Sequence, residues 1–199
     1  FPYTTLFRSF TYGGVRMPLF EHPYNCGYKK GRMTERAIEL AITNYWLGKI
    51  DNDEYVTEVG AVTPYYFFDD RIRRIIDPSD EHRLVTEKKS VYDISLQNEN
   101  VLSISTLEHV GTGEYGVKEQ RDAVGAIEKV MEEAKKYLIS VPYGYNKLLD
   151  KWIKKYRGDK MIVLGRGMNN EWHNLKSTEE IDEYQYSLWA NAVCFFCNI

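Results

Sequence analysis

The chain has 199 residues, of which 43% are hydrophobic and 28% charged, and its 26 Lys and Arg against 29 Asp and Glu give a formal net charge of −3. These proportions supply one ordinary hydrophobic core and exclude a disordered or low-complexity chain. The chain carries a mild excess of acidic residues, whereas nucleic-acid-binding proteins typically have a basic surface. No apolar run approaches the roughly 18 residues of a membrane span. We therefore expect a soluble protein with no nucleic-acid and no membrane partner. Three cysteines, Cys26, Cys194 and Cys197, are too few for a disulfide framework and favour a reducing, cytoplasmic location.

The first nine residues, FPYTTLFRS, resemble the translation of a short sequencing adaptor. We expect residues 1–9 to be non-native and to lack a consistent packing role. Residues 10–50 are predicted to form an irregular, glycine-rich lead-in and a cap helix, and residues 51–199 to form the main domain.

Short β-rich runs alternate with helical periodicity along the rest of the chain. The predicted strands are Tyr55–Gly60, Arg74–Asp77, Asn100–Ser105, Tyr137–Val141, Lys160–Leu164 and Ala192–Cys197. The predicted helices are Thr34–Leu47, Val117–Lys136, Leu148–Ile153 and Ser177–Tyr186. This alternation predicts an α/β fold, a Rossmann-like open and mostly parallel twisted sheet with helices on both faces.

Ligands of such sheets bind beyond the carboxyl ends of the strands, so the polar residues that follow each strand are candidate site residues. They are, in chain order, Glu58, Gly60, Asp77, Asp93, Glu108 and His109. Asp77 follows Glu58 by 19 residues, close to the roughly 20 that separate a glycine turn from a ribose-binding acid in nucleotide folds. Taken alone, a single glycine after a strand more often forms a tight turn, and a single acidic residue more often caps a helix.

Four segments of the chain resemble the motifs of the class I S-adenosylmethionine-dependent methyltransferases. They are Val56–Ala61, Ile75–Asp77, Tyr92–Ile94 and Val101–Gly111, with the sequences VTEVGA, IID, YDI and VLSISTLEHVG. The fourth is the most specific, since a strand followed by a polar pair and Leu-Glu-His is frequent in that superfamily. The resemblance runs from about Val56 to the C-terminus.

The resemblance implies methyl transfer from S-adenosylmethionine to a small-molecule or glycan acceptor. In this interpretation Glu58 and Gly60 flank the methionine part of the cofactor, Asp77 binds the ribose, and Asp93 binds the adenine amino group. Thr106 to His109 line the cofactor edge that faces the acceptor. His109 is the candidate general base, because imidazole titrates near neutral pH. Glu108 is the second catalytic candidate. Capping or packing of the loop is the competing interpretation for both residues.

The candidate acceptor-binding residues follow two later strands. Tyr143, Tyr145 and Asn146 come after the predicted strand that ends at Val141, and Arg166 comes after the next one. Phenol, amide and guanidinium groups suit a sugar or another polar ring. Ordinary packing remains the competing interpretation, since the chain contains 16 tyrosines.

One departure from the family pattern motivates a second hypothesis. The family's first motif is usually Glu-x-Gly-x-Gly, whereas Ala61 to Pro64 follow Gly60 here, and lost glycines restrict the approach of the backbone to a cofactor. The alternative is a non-catalytic binding or assembly module, and a nicotinamide-dependent enzyme is a third, weaker option. We predict no metal site, and we assign Cys194 and Cys197 to core packing, since residues three apart in a strand point to opposite faces.

Overall fold

The structure, a computed structural model, describes residues 9–21, 34–117, 119–167, 171–177, 179–184, 186–187 and 190–198. Contacts divide the chain into two compact units. The central unit comprises Gly48–Val141 and Phe196–Ile199, and the terminal unit comprises Phe1–Leu47 and Pro142–Phe195.

The described residues form three α-helices and nine β-strands. The helices are α1 (Arg36–Leu47), α2 (Ala123–Glu133) and α3 (Lys147–Lys155). The strands are β1 (Ser9–Tyr12), β2 (Val15–Pro18), β3 (Val56–Val59), β4 (Ile72–Ile76), β5 (Asn100–Ile104), β6 (Lys136–Pro142), β7 (Met161–Arg166), β8 (Trp172–Asn174) and β9 (Ala192–Cys197).

Seven strands form one mixed sheet in the order β4-β3-β5-β6-β9-β7-β8, and β1 and β2 form a separate two-stranded sheet. β3 pairs in parallel with β4 and with β5, β5 pairs in parallel with β6, and β7 pairs antiparallel with β8. The predicted Rossmann-like fold with helices on both faces of the sheet was therefore wrong. The described residues are mostly β, with three α-helices. Short 3₁₀ turns, Thr63–Tyr65 and Val91–Asp93, lie between β3, β4 and β5, where that fold requires crossover helices.

Two helices were predicted too long. α2 begins at Ala123 and not at Val117, because the Asp122 carboxylate caps it by accepting from the Gly125 N–H at 2.9 Å. Just upstream, Tyr115 has a positive φ of 54°, which interrupts a helix. The predicted helix Ser177–Tyr186 is a 3₁₀ turn, Glu180–Glu183, within the described part of that segment. The Glu180 carboxylate accepts from the Lys176 N–H at 3.1 Å instead of returning to Ser177.

The lead-in, predicted to be irregular, contains a hairpin. β1 and β2 pair antiparallel around Gly13 and Gly14, whose φ values of 53° and 80° are those of the tight turn that the right-handed twist of a hairpin favours. Ser9 begins β1, and its hydroxyl accepts from Arg16 Nε at 2.9 Å. Residues 1–8 lie outside the described residues.

Interior strands of the sheet carry much of the core. β3 and β5 are buried at every position, as expected for strands covered on both faces. The predicted core position of Cys194 is confirmed, and burial raises the pKa of its thiol, whereas Cys197 is half-buried. Cys26 lies outside the described residues. Within the described part of the chain, no helix combines the length and the apolar character needed to cross a membrane.

Candidate functional site

The carboxyl ends of β3, β4 and β5 lie at one edge of the sheet, since these strands are parallel. Gly60 directly follows β3 and has a φ of 91°, and its N–H donates to the carbonyl of Ile76 at 2.8 Å. A Cβ at Gly60 would lie 2.1 Å from Thr106 Oγ1. Glycine is required here because the Thr106 side chain occupies the space that a Cβ needs.

Glu58 is fully buried at the end of β3. Its Oε1 accepts from the N–H groups of Val62 and Thr63 at 3.1 and 2.8 Å, and its Oε2 accepts from the Thr63 hydroxyl. The carboxylate therefore holds the first amides of the Thr63–Tyr65 turn and fixes the backbone that follows Gly60.

Asp77 directly follows β4 and connects two strand ends. Its Oδ1 accepts from the N–H groups of Ser79 and Asp80 at 2.8 and 2.7 Å, and from the Ser79 hydroxyl at 3.2 Å. Its Oδ2 accepts from the Ala61 N–H at 3.1 Å. One oxygen therefore closes the turn after β4, and the other joins that turn to the end of β3.

The end of β5 carries backbone strain. Ser105 has a φ of 39°, and its N–H donates to the carbonyl of Ser140 at 2.9 Å. The next hydroxyl, Thr106 Oγ1, donates to the carbonyl of Ile104 at 3.0 Å. Strained residues of this kind are concentrated at functional sites. Here the residue with positive φ directly precedes Thr106 and the Leu107–His109 turn.

His109 lies between two carboxylates in that turn. Its Nδ1 is 2.6 Å from Glu114 Oε2, and its Nε2 is 3.6 Å from Glu108 Oε1. Glu108 is buried, whereas the Tyr115 side chain is 70% exposed and meets the imidazole edge-on, with ring centroids 5.1 Å apart. Partial desolvation of its hydroxyl and the carboxylates of Glu114, Glu108 and Asp77 raise the pKa of Tyr115. The Asp77 carboxylate after β4 therefore acts electrostatically on Tyr115, in the loop that follows the His109 turn.

Asp93 lies in a different setting from the other predicted cofactor residues. It closes the Val91–Asp93 turn instead of a strand, is exposed, and its Oδ1 accepts from Arg121 Nη2 at 3.1 Å. The Arg121 guanidinium also lies over the Tyr92 ring, 4.2 Å from its centroid. The described side-chain contact of Asp93 is therefore with the segment that precedes α2.

The four predicted acceptor residues all belong to the terminal unit. The Tyr143 hydroxyl donates to Asp182 Oδ1 at 2.6 Å, and burial together with this carboxylate raises the pKa of Tyr143 to about 12. Asn146 caps α3, and its Oδ1 accepts from the first amides of that helix at 3.1 and 3.2 Å. The Tyr145 ring packs edge-on against Tyr186. Arg166 ends β7, and its N–H donates to the carbonyl of Asn191 at 2.8 Å.

Glu114 and Tyr115 were missed as site residues by the sequence analysis. The available signal is the glycine-punctuated run Gly111–Gly116, which directly follows Glu108 and His109. Gly111, Gly113 and Gly116 all have positive φ values, which allow this loop to turn back toward the imidazole.

No family model, curated protein or solved structure matches this chain. The functional assignment therefore depends on the residues and geometry described above.

Proposed function

We propose that the chain binds S-adenosylmethionine at the carboxyl ends of β3, β4 and β5 and transfers its methyl group to a small-molecule or glycan acceptor. The observation that supports this most is the convergence of Gly60, Asp77 and Thr106 from three strands at one polar edge. The sequence motifs that resemble the methyltransferases supply these same three residues.

The Asp77 carboxylate fits a ribose. Its Oδ2 receives one N–H, from Ala61, and a carboxylate oxygen has two lone pairs. It can therefore accept one further hydrogen bond, and ribose hydroxyls are suitable donors. Glu58 contributes indirectly, since its carboxylate fixes the backbone between Gly60 and Thr63 against which the cofactor would lie.

S-adenosylmethionine supplies a methyl group that its sulfonium already activates, so the protein mainly has to orient the acceptor. His109 takes the proton of an acceptor hydroxyl. The Glu114 carboxylate, 2.6 Å from Nδ1, holds the imidazole in one orientation and stabilises the positive charge that the ring gains. The exposed ring of Tyr115 offers the acceptor an aromatic surface beside this base.

Calorimetric titration of the intact chain with S-adenosylmethionine and with S-adenosylhomocysteine tests the proposal. We expect saturable binding of both compounds, and no comparable binding of NAD, because the site offers a ribose-binding acid without a glycine-rich phosphate turn. Binding of neither compound by a chain that unfolds cooperatively in urea would contradict the enzyme assignment.

A non-catalytic binding or assembly module is the second candidate function, and a specific observation favours it. The Glu58 carboxylate, the space beside Gly60 and Oδ1 of Asp77 are all engaged by neighbouring protein groups. In this interpretation the same residues serve only to stabilise the loops that follow β3 and β4. In this alternative the folded chain binds neither compound, so the same titration separates the two functions.

A further inference from the structure

A groove in the central unit lies beside β4 and is lined mainly by apolar side chains. Its volume is about 130 Å³, and its walls include Phe67, Phe68, Ile72, Ile75 and Leu84. Phe68 is 73% exposed, although burial of a phenyl group is strongly favourable. A cavity of roughly 150 Å³ holds benzene, so this groove has about the size of one aromatic ring.

Two charged side chains line the groove, and one of them is already neutralised. Asp69 receives Arg71 Nε at 2.8 Å and Arg71 Nη2 at 2.6 Å. This paired guanidinium lowers the pKa of Asp69 below its ordinary value. The negative charge at the groove therefore has its own counter-ion.

Arg73 is the second charged residue, and it is held in place without a carboxylate. Its guanidinium carbon lies 3.8 Å from the centroid of the Tyr55 ring, and its Nε donates to the carbonyl of Asp70 at 3.2 Å. Among the residues that the structure describes, Arg73 has no ion-pair partner. The groove therefore combines apolar walls with an exposed guanidinium that is stacked on Tyr55 and has no carboxylate partner in the described part of the chain.

We propose that this groove binds a small aromatic carboxylate, with its ring against Phe68 and Leu84 and its carboxylate on Arg73. Small-ligand sites typically combine an apolar surface with a few convergent polar groups. The planar guanidinium can donate two parallel hydrogen bonds to a carboxylate. The carboxylate would also supply a negative charge to balance the positive charge of Arg73. This proposal does not depend on the proposed methyl transfer.

Three probes separate the contributions of ring and charge: benzoate, benzamide and acetate. Binding to the intact chain is measured by protein NMR, with the methyl signals of Ile72 and Leu84 as local reporters. We expect benzoate to bind with a dissociation constant at least about tenfold lower than those of benzamide and acetate, because benzamide lacks the charge and acetate lacks the ring.

Three variants locate the effect. Arg73→Gln should remove the preference for benzoate over benzamide, and Phe68→Ala should weaken both ligands together. Arg83→Gln is the matched control, since Arg83 is an exposed cation on the neighbouring segment that is not among the groove residues. It should keep the wild-type preference.

Several results would overturn the proposal. They are the absence of saturable benzoate binding, equal binding of benzoate and benzamide by the wild type, and an unchanged preference in Arg73→Gln. Tighter binding of a peptide that ends in phenylalanine than of benzoate would also overturn it, in favour of a protein partner.

Discussion

In the central unit, Asp77 at the end of β4 bonds both to its own turn and to Ala61 at the end of β3, whereas in the terminal unit Asn146 caps the helix that begins one residue later. Both are polar residues just beyond a strand, and both were predicted from sequence as ligand contacts. The first kind of contact joins the ends of two strands at one polar edge. The second stabilises a local element, so a position after a strand does not by itself indicate a ligand site.

The largest effect that we expect in this comparison is at Glu58. Glu58→Ala leaves the amides of Val62 and Thr63 and the Thr63 hydroxyl without their acceptor in a buried setting. We expect the free energy of unfolding, measured by urea denaturation, to fall by about 3 kcal/mol. Glu58→Gln keeps one carbonyl acceptor and should lose less. A loss below about 1 kcal/mol in Glu58→Ala would show that the carboxylate does not hold this turn.

A second, slightly smaller effect is expected at Gly60. Gly60→Ala combines an unfavourable φ of 91° with a Cβ placed 2.1 Å from Thr106 Oγ1, and we expect a loss of about 2 kcal/mol or more in the free energy of unfolding. Gly14→Ala is the matched control, since Gly14 has a φ of 80° and nothing within 4 Å of its Cβ position. Equal losses in the two variants would mean that the contact with Thr106 contributes nothing.

The third prediction concerns pH and the terminal unit. The pKa of Tyr143 is raised to about 12 from 10.0, so the folded protein keeps a proton that the unfolded chain loses first. Tyr143 therefore contributes stability that is present below pH 10 and is lost as the pH rises toward about 12. Urea denaturation of wild type and Tyr143→Phe between pH 9 and about 12 should show a shallower decline in the variant. Parallel declines would contradict this assignment.

The smallest effect on stability is expected at Asn146. Asn146→Ala removes the acceptor of the Leu148 and Leu149 amides at the start of α3, and we expect the free energy of unfolding to fall by about 1 kcal/mol. Asn146→Asp should restore it, because aspartate is an equally good cap. An unchanged stability in Asn146→Ala would favour a ligand-binding role for this residue.

The positions of most strands were predictable because burial requires apolar runs. β5 at Asn100–Ile104 and β9 at Ala192–Cys197 are apolar segments of strand length, and both lie where they were predicted. The hairpin of β1 and β2 was also within reach, since Gly13 and Gly14 between two short runs are a strong turn signal.

The fold class was not predictable in the same way. Periodicity shows where a helix can form, but it does not show that the segments after β3 and β4 fold as 3₁₀ turns. Those turns are held by short-range side-chain contacts that periodicity does not reveal. Glu58 accepts from the Thr63 amide five residues later, and Ser90 accepts from the Tyr92 amide two residues later. Two contacts of the candidate site were hidden for different reasons. Thr106 lies beside Gly60 because β3 and β5 pair, and Glu114 reaches His109 because the intervening Gly111 and Gly113 take positive φ values.

The affinity of Asp77→Asn for S-adenosylmethionine shows whether this carboxylate binds the ribose. The asparagine carbonyl can still accept from the Ser79 and Asp80 amides, whereas its Nδ2 cannot accept from Ala61 or from a ribose hydroxyl. We expect the stability to fall by at most about 1 kcal/mol and the dissociation constant, measured by calorimetry, to rise at least about tenfold. Asp80→Asn in the same loop, where Asp80 accepts from the Tyr65 hydroxyl and the His82 N–H, should leave the dissociation constant unchanged. A wild-type dissociation constant in Asp77→Asn would contradict the proposed cofactor site, since Asp77 would then only hold the loops that follow β3 and β4.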